Sequence, residues 1–336
     1  MEVEKLETKR EATMNVVPYV IGILILLIIP LFLSTYWVGL MIRFLIFALF
    51  AMSYNIVFGY TGLLSLGHAA FFGTGGYVIA LLHLHYNVSL FWISAPFGVL
   101  VAAFIAALFG LIALRVSGIY FLLVTFALGE MLYSLAWNVK WLNSRGMQGI
   151  TGIPLPDLAI PGLTIDRTWY YYLVLVLFII SFVLLNRFVR SPLGVGLVGI
   201  REDESRMKAV GYNTWLYKYI AFVISGAFAG IAGVLFSYYN YFVSPKHLGI
   251  ATSFLPMVMA IMGGLGTFLG PVIGALVLVF VENLASIVSP QRWPLILGGL
   301  FVVTIIFARQ GIGVYLWDLF TKVRQHFAGA KSREIV

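Results

Sequence analysis

Apolar runs long enough to cross a membrane recur along this whole chain. A spanning helix needs about 20 mostly apolar residues. About ten stretches approach that length: 16–36, 38–58, 69–85, 91–114, 119–139, 169–186, 217–241, 252–264, 270–288 and 294–308. Of the 336 residues, 61% are hydrophobic and 10% charged, against about 25% charged in an ordinary soluble domain. One soluble core cannot hide so much apolar surface, so most of the outside must meet lipid. The expected fold is all-α: a polytopic membrane protein of about ten transmembrane helices with Gly-rich broken segments.

The polar residues 1–15 read as an N-terminal cytoplasmic segment. The apolar run 16–33 is long for a signal-peptide core. Ser34-Thr35-Tyr36 offers no small-x-small cleavage pattern, so the run reads as a retained first span. Residues 16–310 form the expected transmembrane domain and 311–336 a cytoplasmic tail.

Cationic residues in loops set orientation. With the N-terminus inside and ten alternating spans, fifteen of the 21 Lys and Arg fall in cytoplasmic segments. Five fall outside (Lys140, Arg145, Arg167, Lys246 and Arg292), and Arg43 lies within a span. That asymmetry favours N-in, C-in topology. The net charge of +8 comes from scattered residues without a continuous patch, which argues against nucleic acid as a partner. The chain has no cysteine, which removes disulfides, thiol catalysis and cysteine metal sites; no metal site is expected.

Two loops are long: an outer loop at about 140–168, with Trp141 and Trp169-Tyr170-Tyr171-Tyr172 as interface aromatics, and a cytoplasmic loop at about 187–216. Two segments, 59–76 and 252–270, are short or Gly-broken. A break at membrane depth is tolerated where it is buried in protein or lines a cavity. Gly62-Leu63-Leu64-Ser65-Leu66-Gly67 echoes Gly264-Leu265-Gly266-Thr267-Phe268-Leu269-Gly270. Internal duplication and chance similarity between two Gly-rich turns both account for the echo. Matching breaks in two halves point to a transporter's pathway.

Within the cytoplasmic loop, 201–211 reads as a short helix. Arg201 opens it, and Glu202, Asp203 and Glu204 occupy its first turn, where the helix dipole favours acids. Arg206 and Lys208 fall in its last turn, and Ala209 precedes Gly211 at the left-handed cap position. Ile200, Met207 and Val210 would form a small apolar face. A solvated connector and a knob seated in a cytoplasmic partner's groove both fit this pattern.

Gly226 and Gly230, and Gly266, Gly270 and Gly274, recur every four residues, a spacing that lets helix backbones approach closely. Arg43, His68, Glu130 and Glu282 fall at or near membrane depth, where a charge costs at least about 2.5 kcal/mol. They line a pathway, or they pair with one another, cap broken helices or lie nearer an interface. The first three glycine-break residues of interest, Gly62, Gly67 and Gly264, with Gly266, join His68 and Glu130 as pathway or structural candidates.

The run Ser191-Pro192-Leu193-Gly194 through Arg201-Glu202-Asp203-Glu204, Ala209 and Gly211, and on from Ala221 to Gly230, resembles LivM-type permeases of branched-chain amino acid ABC importers. So do Asn55 through Gly73, Phe242-Val243-Ser244-Pro245, Gly263-Gly264-Leu265-Gly266 and Gly270-Pro271. The resemblance covers most of residues 40–315. It implies a prokaryotic plasma-membrane importer subunit that works with a second related permease, two cytoplasmic ATPase subunits and an external substrate-binding protein. It makes 201–211 a coupling helix facing the ATPases, with the substrate leucine, isoleucine or valine.

The residues agree on the energy source. No G-x-x-x-x-G-K-[ST] loop is present, and Gly329-Ala330-Lys331-Ser332 lacks its spacing, so ATP would be bound by other chains and no cofactor by this one. H-E-x-x-H and G-x-S-x-G are also absent, so the chain is not expected to be an enzyme. The alternatives are a same-family permease for urea, short amides or other amino acids, and a self-sufficient secondary transporter or channel.

Overall fold

The computed structural model describes residues 22, 24–139, 141–142, 149–158 and 166–288, with isolated positions between 295 and 312. The expected polar segment 1–15, most of the tenth span at 294–308 and the tail beyond 312 lie outside the described residues. So does the first part of the span at 16–36, of which 24–32 is helical.

The eight spans expected between 38 and 288 all occur as helices. They are α1 (Thr35–Asn55), which runs on into a π-helical turn at Ile56–Tyr60, α2 (His68–Tyr86), α3 (Phe91–Ala113), α4 (Ile119–Asn138) and α5 (Arg167–Arg190). After the loop helices α6 (Pro192–Glu202) and α7 (Glu204–Ala209) come α8 (Thr214–Asn240), α9 (Ile250–Gly263) and α10 (Gly270–Val288). Among the described residues, six helices are long and apolar enough to cross a membrane. α9 falls short in length, and α2 carries His83 and His85 in its last turn. The breaks are narrower than the sequence suggested: α2 already begins at His68, so only 62–67 and 264–269 leave helical geometry.

α1 is apolar on every side and buried almost throughout, the pattern of a helix surrounded by others. It contacts α5, α8, α9 and α10, while α8 also packs along α2 and α3. Lipid tails are as apolar as leucine, so such packing gains little from the hydrophobic effect and depends on close fit and polar contacts. Small residues supply that fit. A Cβ on Gly226 or Gly230 of α8 would collide with Ala106 or Ala102 of α3, and one on Gly233 would overlap the Phe72 carbonyl of α2. The glycine ladder around 270 is partly different. Gly270 and Gly274 press on the backbone of α9, but Gly266 lies in the break itself with φ +74°.

The connections gather at two ends. At one, β1 (Ile150–Thr151) pairs antiparallel with β2 (Phe242–Val243), and Phe91 N–H donates to the Asp157 carbonyl at 2.8 Å. His247 is half-buried there against Phe236, and loss of solvent pushes its ring down to about 4. At the other end, the loop helices meet both glycine breaks. The aromatic cluster at 169–172 is not all an interface belt. Trp169 is exposed, but Tyr170 and Tyr171 are buried, and the Tyr170 hydroxyl donates to the Leu235 carbonyl at 2.6 Å.

Candidate functional site

The loop that sequence reads as one helix at 201–211 is two helices that meet at Asp203. Ser191 caps the first, accepting from Gly194 N–H at 3.3 Å, with Pro192 in its first turn. The helix, starting at Pro192, begins nine residues earlier than expected. Arg201 and Glu202 therefore end α6 rather than opening a helix. Asp203 caps α7, accepting from Arg206 N–H at 3.0 Å and pairing with the Arg206 guanidinium at 2.8 Å. Only Glu204 is an acid in the first turn of α7. The expected apolar face does not form either: Ile200 is 3% exposed and Val210 75%. Gly211 takes φ +95° just past the helix, as its position implied.

α7 folds back on α6, with Met207 lying over Gly199, and α6 rests on Tyr217 of α8 through Gly196. Glu204 anchors the pair to α8. Its carboxylate pairs with Lys218 at 2.5 Å and Lys208 at 3.1 Å, and accepts from the Thr214 hydroxyl at 3.0 Å. Lys218 has a side chain only 11% exposed. Partial burial alone would raise the Glu204 pKa, but the hydrogen bonds from Lys218, Lys208 and Thr214 hold it down to about 2. Its folded value lies below the ordinary 4.5, so the contact contributes stability above about that pH and loses it as pH falls toward 2. Glu204→Gln should therefore melt below wild type at pH 7, with the gap closing between pH 4.5 and 2. A gap independent of pH would contradict the ion pair.

Left facing outward are Val195, Glu202, Arg206, Val210 and Tyr212. Ala209 is also exposed, beside Gly211.

Arg201, at the end of α6, turns back toward the helix bundle. Its guanidinium donates to the Gly59 carbonyl in the π-helical turn. A Cβ on Gly266 would fall 2.6 Å from Arg201 Nη1, and one on Gly62 would fall 3.0 Å from Arg201 Cγ. One arginine thus lies across both breaks. Asn55 ties the same breaks from within, donating to the Thr267 carbonyl at 2.9 Å and accepting from Gly266 N–H at 3.2 Å. A Cβ on Gly59 would collide with the Asn55 carboxamide. Gly62, Gly264 and Gly266 all hold positive φ, at +75°, +116° and +74°, where side chains with a Cβ are strained. π-Helical turns inside α-helices recur at functional sites.

The remaining candidates lie one layer deeper. Gly67 approaches α4 so closely that a Cβ would meet the Thr125 carbonyl at 2.4 Å, and Leu66 N–H donates to the Thr125 hydroxyl at 3.2 Å. His68, fully buried, shares a hydrogen bond with the Ser225 hydroxyl at 2.7 Å, and Ser225 donates to the Ser53 carbonyl at 2.5 Å. That chain joins α2, α8 and α1. Glu130 is half-buried on α4, next to Gly129, which packs against Gly67. Arg43 and Glu282 pair with each other at 2.6 Å between α1 and α10. A cavity of about 640 Å³ between α2, α3 and α4 is lined mainly by apolar residues, among them Tyr77, Leu81, Phe97 and Leu132. None of the candidate residues lines it. Among the described residues, no cluster of His, Asp or Glu could hold a metal ion.

Sequence reasoning missed Asn55, Thr125 and Ser225 as connecting residues. Their one signal was polarity inside an otherwise apolar run, which marks a residue that needs a partner.

A family model described as "Branched-chain amino acid transport system / permease component" matches residues 36–307. The chain belongs to this permease family. It is 31% identical over 319 residues to the high-affinity branched-chain amino acid transport system permease protein LivM of Escherichia coli (strain K12), covering 88% of this chain and 74% of that one. It is 33% identical over 292 residues to LivM of Salmonella typhimurium, covering 80% and 68%. The LivH permease of the Salmonella system is 24% identical over 255 residues, covering 71% and 82%. No solved structure matches. The permease family and the six apolar helices together make this a multi-pass membrane protein.

Proposed function

We propose that this chain is the translocation subunit of an ATP-driven importer for branched-chain amino acids, set in a prokaryotic plasma membrane. The observation that carries this reading is the α6–α7 knob. It presents Glu202, Arg206 and Val210 outward while its other side is fixed to α8 and to both glycine breaks. A knob held this way can pass on a push; a free connector cannot. The likeness to LivM over most of the chain supports the substrate class. The weaker likeness to LivH supports a second, related permease in the assembly.

On this reading, an external binding protein delivers leucine, isoleucine or valine, and two ATPase subunits bind ATP in the cytoplasm against α6–α7. The chain itself carries no cofactor. Both termini lie inside, with about ten spans between residues 16 and 310. The cytoplasmic end then holds α6–α7 and both breaks, and the β1–β2 pair lies outside. The break glycines, His68 and Glu130 would bend or border the pathway. Alternating access would be rocking of rigid parts about that region.

Co-purification of the tagged chain from gently solubilised membranes tests the assembly, with an ATPase pair and a related permease as the expected companions. Glu202→Lys tests the contact face. Glu202 makes no ion pair among the described residues, so reversing its charge should weaken ATPase co-purification while the chain still reaches the membrane. Unchanged ATPase recovery and uptake would exclude that face. Glu204→Lys is a poorer probe, because it also breaks the anchor to Lys218.

A further inference from the structure

We infer that Arg201 is a positioning residue: a strut that makes the α6–α7 knob and the two glycine breaks move as one body. This rests on the importer reading above and adds which contact transmits the motion. Arg201 is the residue of the loop whose guanidinium reaches the Gly59 carbonyl, in the π-helical turn that leads into the first break, while lying against Gly266 of the second. Its stem lies against Gly62. Three glycines thus leave room for one side chain, and any Cβ at Gly266 would displace it.

The chemistry suits a strut. A guanidinium presents a rigid, planar fork of donors that stays charged at any working pH. A charge-assisted hydrogen bond is roughly twice as strong as a neutral one. The breaks cannot slide apart independently, because Asn55 already binds the second break to the end of α1. A displacement of α6 therefore reaches α1 directly through Gly59, and α9–α10 through Gly266 and its link to Asn55. Without Arg201, Glu204 still holds the knob to α8, and Glu202, Arg206 and Val210 still face outward. The knob would then dock and turn over ATP, but its motion would reach the breaks weakly.

That separation gives the test. The complete transporter is reconstituted in liposomes with wild-type chain or Arg201→Ala, and amino acid uptake and ATP hydrolysis are measured together. Arg201→Ala should co-purify the ATPases at the wild-type level and still hydrolyse ATP. Uptake per ATP should fall roughly tenfold, the factor carried by one lost hydrogen bond to a charged group. Arg201→Lys, which retains a charged donor, should recover part of the loss. An unchanged uptake-to-ATP ratio would overturn the inference, and so would loss of the ATPases from the purified complex, since that would make Arg201 a docking residue. Wild-type complex showing no ATP-dependent uptake would instead count against the importer reading, so the two failures are distinct.

A covalent strut provides a second test, read between two redox states of one protein so that any strain at Gly62 is common to both. The chain has no cysteine. A Cβ on Gly62 lies 3.9 Å from Arg201 Cβ, within the roughly 3.5–4.5 Å that a disulfide requires. Gly62→Cys with Arg201→Cys should couple ATP to uptake several-fold better oxidised than reduced. Equal coupling in both states would overturn the strut.

Discussion

Gly233→Ala should prevent this chain from folding stably in the membrane, although it adds one methyl group. The new Cβ would overlap the Phe72 carbonyl oxygen of α2. A backbone carbonyl held in a helix cannot rotate away as a side chain can. Overpacking a well-fitted core costs about 1–3 kcal/mol when side chains can yield, and here α2 and α8 must separate instead. We expect a cost of at least about 3 kcal/mol, read as loss of monodisperse protein and a lowered melting temperature in detergent. Gly76→Ala is the graded comparison. Its Cβ meets the Gly233 carbonyl, Ser237 and Val243 at 3.3–3.4 Å, so shifts of a few tenths of an ångström should accommodate it. Equal tolerance of both substitutions would mean that α2 and α8 are not packed this closely.

The second large effect concerns charge. Arg43 and Glu282 join α1 to α10 with side chains 30% and 13% exposed, and Arg43 also lies over the Phe47 ring at 5.6 Å. Breaking a buried pair by removing one partner costs about 3–5 kcal/mol, because the other charge is left uncompensated. The pair is partly buried, so Arg43→Leu and Glu282→Leu should each destabilise the protein by up to about that amount. The double substitution should recover most of the loss, since replacing both members of a buried pair by apolar residues is often neutral. A thermodynamic cycle over the four proteins isolates the interaction. If the two losses simply add, the pair contributes nothing and both residues are available to line a pathway.

The six long apolar helices were legible because lipid demands long apolar runs whatever the tertiary arrangement. Breaks at 62–67 and 264–269 were legible from their glycines, though only to within several residues. The loop was misread for a physical reason. Gly194, Gly196 and Gly199 lower helix propensity, and they hid a helix that packing favours, since Tyr217 and Met207 occupy the space that Gly196 and Gly199 leave. The Ser191-Pro192 start was visible and indicated the earlier boundary. Contacts between distant segments had no local signature. Nothing near Arg201 in sequence specifies that it reaches Gly59, and nothing near Asn55 specifies Gly266. Glu204 illustrates the same limit: its position near the start of a helix was read correctly, but its main partner, Lys218, lies a helix away.

The most direct measurement is uptake of labelled leucine into liposomes holding the purified complex, with ATP supplied on the ATPase side and binding protein on the other. Accumulation that requires both ATP and the binding protein is the expected result. Leucine movement by this chain alone, without ATP or companions, would contradict it and make the protein a self-sufficient transporter.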